Sequence, residues 1–211
     1  MKVMQALSEA VVSGDIDNIM RLTEEALRCS ASPKETIDVG LMPGMDRVGS
    51  LFRTGEMFIP EVLLSARTMQ MAMNVLRPHL MGGDVRNQGS VVIGTVQGDL
   101  HDIGKNLVRM MLEAAGFNVI DLGTDVPPEK FIEAIKAHHP QILGLSALLT
   151  TTMRNMAVVI DTLRESGIRH LIKVMVGGAP VTGDFAKSIG ADGYAPNAVV
   201  AVDMAKILVR G

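Results

Sequence analysis

The chain has 211 residues, 47% of them apolar, enough for one large domain or two small ones with cores of their own. Twenty Lys and Arg against 23 Asp and Glu leave a formal charge of -3 with no long run of like charge, which argues against nucleic acid as the main partner. There is no 18-residue apolar stretch, no cleavage-site pattern behind Glu9, and a single cysteine, Cys29; these predict no membrane span, no secretory signal, a cytoplasmic location and no internal disulfide, zinc ribbon or iron–sulfur cluster.

In roughly the first 85 residues apolar positions recur every three or four, which predicts helices. Ile16, Ile19, Leu22 and Leu27 suit one helix with Asp15 as its N-cap, and Met42, Met45, Val48 and Leu51 suit a second. A third starts at Pro60 and continues through Val62, Ala66, Met69 and Leu76 to Pro78. The expectation for residues 1–85 is an all-α helical bundle. A glycine-rich stretch at 82–89 then reads as a linker.

From residue 86 to 211 short Val- and Ile-rich runs alternate with amphipathic stretches. Strands are predicted at 91–96, 118–122, 142–145 and 172–176, with a weak last one near Gly193 and Tyr194. Helices are predicted at 105–115, 128–137, 153–166, 184–189 and 198–208. Five strand–helix alternations predict an α/β doubly wound parallel five-stranded sheet, Rossmann- or flavodoxin-like. Ligands of such sheets bind beyond the carboxyl ends of the strands. Chemistry is therefore expected just after Val96, Leu122, Leu145 and Val176.

The first of these loops, Gly98-Asp99-Leu100-His101-Asp102-Ile103-Gly104-Lys105, holds the densest polar cluster of the chain. Asp99 as a helix cap beside a solvated His101 is the plainest reading. A phosphate loop is disfavoured, because five residues separate Gly98 from Gly104 where the Walker pattern needs four, and Asn106 replaces the Mg²⁺-binding hydroxyl. An HD-type metal phosphohydrolase shares the string His101-Asp102 but needs further ligands on an all-helical scaffold. His79, His138, His139 and His170 lie at the wrong ends of their elements and read as solvent-facing or structural. The sixteen methionines, Met69, Met71 and Met73 among them, read as core filling rather than soft metal ligands.

The string Asp99-x-His101-x-x-Gly104 resembles the cobalamin-binding signature of corrinoid proteins and methionine synthase. Ser146-Ala147-Leu148 and Gly177-Gly178, at two further strand ends, resemble the other parts of that pattern. The segments Gly49-Ser50-Leu51-Phe52, 57–62 and Ser65-Ala66-Arg67 resemble the helical cap module of methionine synthase and of corrinoid proteins in methylamine, methanol and aryl-ether methyltransferase systems.

The resemblance implies a cobalamin cofactor, as methylcobalamin or Co(I) corrinoid, with His101 as lower axial cobalt ligand. Asp99 would fix the ring tautomer, and Thr152 would extend the relay where methionine synthase has serine. Gly98, Leu100, Asp102, Gly104, Ser146, Leu148, Thr150, Gly177, Gly178 and Ala198 would touch the cofactor, with Gly144 and Ala179 giving room for its nucleotide tail. Phe52, Ile59 and Val62 would cover the methyl group. The implied function is that of a methyl carrier, between a substrate-specific corrinoid methyltransferase and a second methyltransferase to tetrahydrofolate or a thiol such as coenzyme M. A reductive activation protein is the third implied partner, and the 82–89 linker is the expected hinge. A cobalamin-dependent sensor or regulator and an adenosylcobalamin mutase small subunit remain the alternatives.

Overall fold

The computed structural model describes residues 2–29, 31–79 and 88–210. Two compact units emerge, one helical and drawn mainly from residues before 88, the other α/β and drawn mainly from those after. The stretch read as linker and hinge lies almost wholly outside the described residues.

The helical unit contains α1 (Lys2–Ser13), α2 (Ile16–Arg28), a short α3 (Pro33–Glu35), α4 (Met42–Thr54) and α5 (Ile59–Leu76). Asp15 caps α2 as expected, accepting from the Asn18 amide at 3.1 Å. Ser32 caps α3, and Gly55, at φ 77°, ends α4. Two features go beyond the sequence reading. Helix α1 buries Met4, Leu7, Ala10 and Val11, spaced as one helical face, and Thr36–Leu41 forms a π-helical turn between α3 and α4. Helix α4 approaches α1 closely, because a Cβ on Gly44 would stand 2.8 Å from the Ser8 carbonyl. Helix α5 buries Val62, Ala66, Met69, Ala72 and Leu76, while Met71 and Met73 are half-buried.

The second unit is a five-stranded sheet in the order β2-β1-β3-β4-β5, every pair parallel. Its strands are β1 (Ser90–Thr95), β2 (Asn118–Asp121), β3 (Ile142–Ser146), β4 (Lys173–Gly177) and β5 (Gly193–Ala195). Helices α6 (Ile103–Ala114), α7 (Pro128–His138), α8 (Asn155–Glu165), α9 (Gly183–Ile189) and α10 (Ala198–Leu208) alternate with them. The doubly wound expectation holds. Central strands covered on both faces need unbroken apolar runs, and β1 is buried from Val91 to Thr95.

Between sheet and helices lies a core of Val92, Val96, Phe131, Leu143, Leu145, Met156, Ile160 and Val174, joined by residues of α7, α8 and α9. Phe131 of α7 is fully buried, and its ring occupies the space above Gly94, where a Cβ would meet it at 2.8 Å. Glycine at 94 is therefore the complement of a large ring at 131. Overpacking of this kind costs about 1–3 kcal/mol. Gly94→Ala is expected to lower the urea midpoint accordingly, and Phe131→Leu in the same chain to recover part of the loss. Strict additivity in that double-mutant cycle would sink the pairing.

Candidate functional site

In the order 2-1-3-4-5 the direction of winding reverses between β1 and β3, so the loops that leave these strands diverge and frame a crevice. The register sets Thr95 beside Ser146 and brings residues 97–102 against 147–152. Gly98, at φ 82°, turns the chain sharply after β1, and the Asp99 amide closes the turn on the Val96 carbonyl at 3.1 Å.

Asp99 is 0% exposed and bridges both loops. One oxygen accepts from the His101 amide at 3.0 Å and from His101 Nδ1 at 2.8 Å. The other accepts from the Leu148 and Leu149 amides at 2.8 and 3.3 Å and from Thr152 Oγ1 at 2.6 Å. Burial alone would raise the pKa of this carboxyl. The bonds from Thr152, Leu148 and His101 overcome that and hold it well below the usual carboxylate range. Thr152 has one hydroxyl proton and two acceptors within reach, Asp99 and the Leu149 carbonyl at 3.0 Å. The shorter bond to the charged oxygen takes the proton.

An ionised Asp99 accepts only, so Nδ1 of a neutral His101 carries the ring hydrogen and Nε2 the lone pair. Nε2 has no partner among the described residues, and the His101 side chain is 49% exposed. The stretches after β1 and β3 also carry large apolar side chains left in solvent: Leu100 at 74%, Ile103 at 86%, Leu148 at 44% and Leu149 at 42% exposure. Exposed apolar groups at the carboxyl ends of two adjacent strands point to a ligand surface.

The donor set decides what such a surface can hold. No group of three or more His, Cys, Asp or Glu able to hold a metal ion forms among the described residues; His138 and His139 are exposed at the end of α7, His170 is exposed before β4, and His79 is exposed in the helical unit. The constellation an HD-type hydrolase requires is thus not formed by the described residues. A single imidazole is a poor cage for a bare divalent ion. It suffices as one axial ligand for a metal whose other positions are filled by a flat macrocycle.

The remaining positions singled out in the sequence divide clearly. Asp102 is exposed and bonds Asn106 at 2.9 Å, at the start of α6. Gly104 has nothing within 4 Å of a Cβ position. Ser146 and Gly177 pair at the ends of β3 and β4, and Thr150 is exposed whereas Ala198, opening α10, is buried. Gly177, Gly178 and Gly144 owe their absent side chains first to the protein itself. A Cβ at Gly177 would stand 2.8 Å from the Ala195 carbonyl, one at Gly178 would overlap the Ala147 carbonyl, and one at Gly144 would press Ile93 at 3.2 Å. Ala179 is exposed. In the helical unit Phe52 is half-buried on α4, and on α5 Ile59 is 51% exposed and Val62 2%.

Sequence reasoning passed over several residues that fix the loop. Thr95 Oγ1 donates to the His101 carbonyl at 3.0 Å, and Asn155 Nδ2 donates to the Gln97 carbonyl at 2.6 Å. Lys105, 3% exposed, contacts both Asp121 oxygens at 2.6 Å and anchors the start of α6 to β2. A lysine directly behind a glycine at a helix start gave a signal for the last of these, since a buried lysine demands a partner.

A doubly wound domain with a tautomer-fixed imidazole at its switch point, preceded by a helical module, defines a class of cofactor-binding proteins. Two B12 binding domain models match the chain, one over residues 89–203 and one over residues 3–77. The chain is 45% identical over 211 residues to dimethylamine corrinoid protein 2 of Methanosarcina acetivorans, covering 100% of this chain and 97% of the relative. It is 41% identical over 210 residues to trimethylamine corrinoid protein 1 of the same organism, covering 99% and 97%. Among solved structures, a chain of the methanol:cobalamin methyltransferase complex of Methanosarcina barkeri matches with a TM-score of 0.88 at 34% identity, covering 100% of this chain and 80% of that one. The chain belongs to the B12-binding family of corrinoid proteins.

Asp99→Asn would present an amide hydrogen to a backbone N–H or to Thr152 and leave a buried donor without an acceptor, at about 1–3 kcal/mol. The folded pKa lies below the unfolded value of about 3.9, so the carboxylate's contribution is complete above about pH 4 and fades as pH falls further. Urea unfolding of parent and variant is expected to show a gap that is constant near neutrality and narrows below about pH 4. A gap independent of pH would show that the bonds to Asp99 do not depend on its charge.

Proposed function

We propose that the chain is a cytoplasmic corrinoid carrier that presents a methyl group to two enzymes in turn. The observation that carries this is a His101 ring fixed at Nδ1, with Nε2 lacking a described partner, together with exposed Leu100, Ile103, Leu148 and Leu149. When bound there, cobalamin supplies a cobalt centre that accepts, keeps and releases a methyl group. His101 Nε2 would ligate the cobalt, and the four exposed apolar side chains would be available to contact the cofactor. Asp99 and Thr152 keep the ring in the ligating tautomer. Asp99, bonded to Nδ1 and backed by Thr152, would steady the His101 ring for the metal.

The match to a chain of the methanol:cobalamin methyltransferase complex supports a substrate-specific corrinoid methyltransferase as one partner; a second methyltransferase to tetrahydrofolate or a thiol such as coenzyme M and a reductive activation protein complete the proposed set. Relatives at 45% and 41% identity, named for dimethylamine and trimethylamine, favour a methylated amine as donor over methanol, whose matched chain is 34% identical. Phe52, Ile59 and Val62 of the helical unit are assigned to the methyl side. On this reading residues 1–85 are the cap and 86–211 the cofactor-binding domain.

The test is the visible spectrum after incubation with hydroxocobalamin and gel filtration. Cobalamin is expected to co-elute with the parent, and His101→Ala to change its spectrum to that of a form lacking imidazole. A parent that retains no corrin would overturn the assignment, and a clear preference for adenosylcobalamin over methylcobalamin would move it to the sensor or mutase class.

Gly104 gives a second test. Ala is favoured over Gly by about 1 kcal/mol inside a helix and by less in the first turn, where Gly104 stands, and a Cβ at 104 meets no protein atom within 4 Å. Gly104→Ala is therefore expected to raise the urea midpoint of the protein without corrin while weakening retention of cobalamin. Unchanged retention would remove Gly104 from the cofactor surface.

A further inference from the structure

Among the described residues only two other than glycine adopt a positive φ, Asp125 at 54° and His139 at 46°. His139 is accounted for as the left-handed residue that ends α7. Asp125 ends no helix. It lies between β2 and α7, in a left-handed conformation that most side chains avoid and aspartate tolerates. What it touches is the loop that carries Asp99 and His101. Its Oδ1 accepts from the Gly98 amide at 2.7 Å, and its own amide donates to the Asp99 carbonyl at 3.0 Å. The next residue continues the contact: the Val126 amide donates to the Thr95 carbonyl at 3.0 Å, and Val96 and Val126 form a parallel bridge.

We infer that Asp125 is a positioning residue for His101, bracketing Gly98 and Asp99 so that the Asp99 carboxylate meets the imidazole in one geometry. This rests on the assignment of His101 as the ligating residue. Asp99 must satisfy five donors from two loops, with His101 Nδ1 at 2.8 Å and Thr152 at 2.6 Å. Such bonds weaken with displacements of a few tenths of an ångström, so the backbone beneath the carboxylate has to be fixed from outside. The Gly98 amide lies one residue before that carboxylate and the Asp99 carbonyl directly after it, and Asp125 binds both, while the Asp99 amide is held by the Val96 carbonyl. Asn155, on the Gln97 carbonyl, holds the opposite edge of the same peptide unit as the Gly98 amide, and Asp125 adds the hold on the Asp99 carbonyl.

A turn that merely needs a left-handed residue is served equally by glycine and asparagine, whereas a clamp needs the side-chain oxygen that only asparagine keeps. Three readouts follow. In the parent without corrin, hydrogen exchange at the Gly98 amide is expected to be slowed about tenfold or more, although the residue is exposed; unprotected exchange there overturns the bond with no substitution involved. In Asp125→Asn, nitrogen NMR of the His101 ring without corrin is expected to show the same single tautomer as the parent. In Asp125→Gly it is expected to show a mixture, and the hydroxocobalamin-loaded protein to lose imidazole-ligated spectrum in proportion. Glycine and asparagine variants that behave alike in both measurements reduce Asp125 to a turn residue. A parent that binds no corrin defeats the cobalt assignment instead, and leaves the exchange and tautomer measurements to judge the clamp by themselves.

Discussion

One buried negative charge organises the site. A carboxylate withdrawn from water is costly unless every lone pair finds a donor, and Asp99 finds five. Three of them come from the loop after β3, so the charge also joins the two loops that the reversal of strand order throws apart. Removing the charge would do more than release an imidazole, since the Leu148 and Leu149 amides and the Thr152 hydroxyl would lose their common acceptor. The same bonds that let Asp99 stay ionised therefore fix the wall of the crevice and the tautomer of the ring inside it.

Around this charge the protein separates rigidity from access. Asp99, Thr95, Lys105 and Thr152 are buried, and each holds a backbone or side-chain group of the loops. His101, Leu100, Ile103 and Leu148, which face a ligand in the proposed function, are half-exposed or more. A ligand surface of this kind is prepared at the cost of apolar exposure, and the cost is recovered only when something flat and apolar covers it. A bare ion would neither cover those side chains nor find more than one ligand. A macrocycle with its metal at the centre meets both demands at once.

Much of this was legible in the sequence because the relevant signals are local. Alternating apolar runs located all five strands, and the strand ends then located Asp99, His101, Ser146 and Gly177. Helix α1 was legible too, since Met4, Leu7, Ala10 and Val11 lie on one face, but a short segment ahead of the Asp15 cap drew no reading. The π-helical turn at Thr36–Leu41 left no compositional trace, because the same residues suit an α-helix and only packing selects the wider turn. Gly177 and Gly178 are a different case. They stood out for the right reason, a need for close approach, but the approaching atoms are the carbonyls of Ala195 and Ala147.

The residues that sequence could not supply are those whose role exists only between distant segments. Asn155 and Gln97 are 58 positions apart, and Asp125 and Gly98 are 27 apart. Nothing in Gly-Thr-Asp distinguishes an ordinary turn from a clamp, since aspartate suits both. The difference appears only when the left-handed backbone at 125 is seen to aim an amide and a carboxylate at one loop. Motif reading finds the groups that meet a ligand because their chemistry is special. The groups that hold them still are ordinary residues in unusual places, and their number here, with Thr95, Lys105, Asp125 and Asn155 serving one eight-residue loop, measures how narrowly the position of a single imidazole has to be defined.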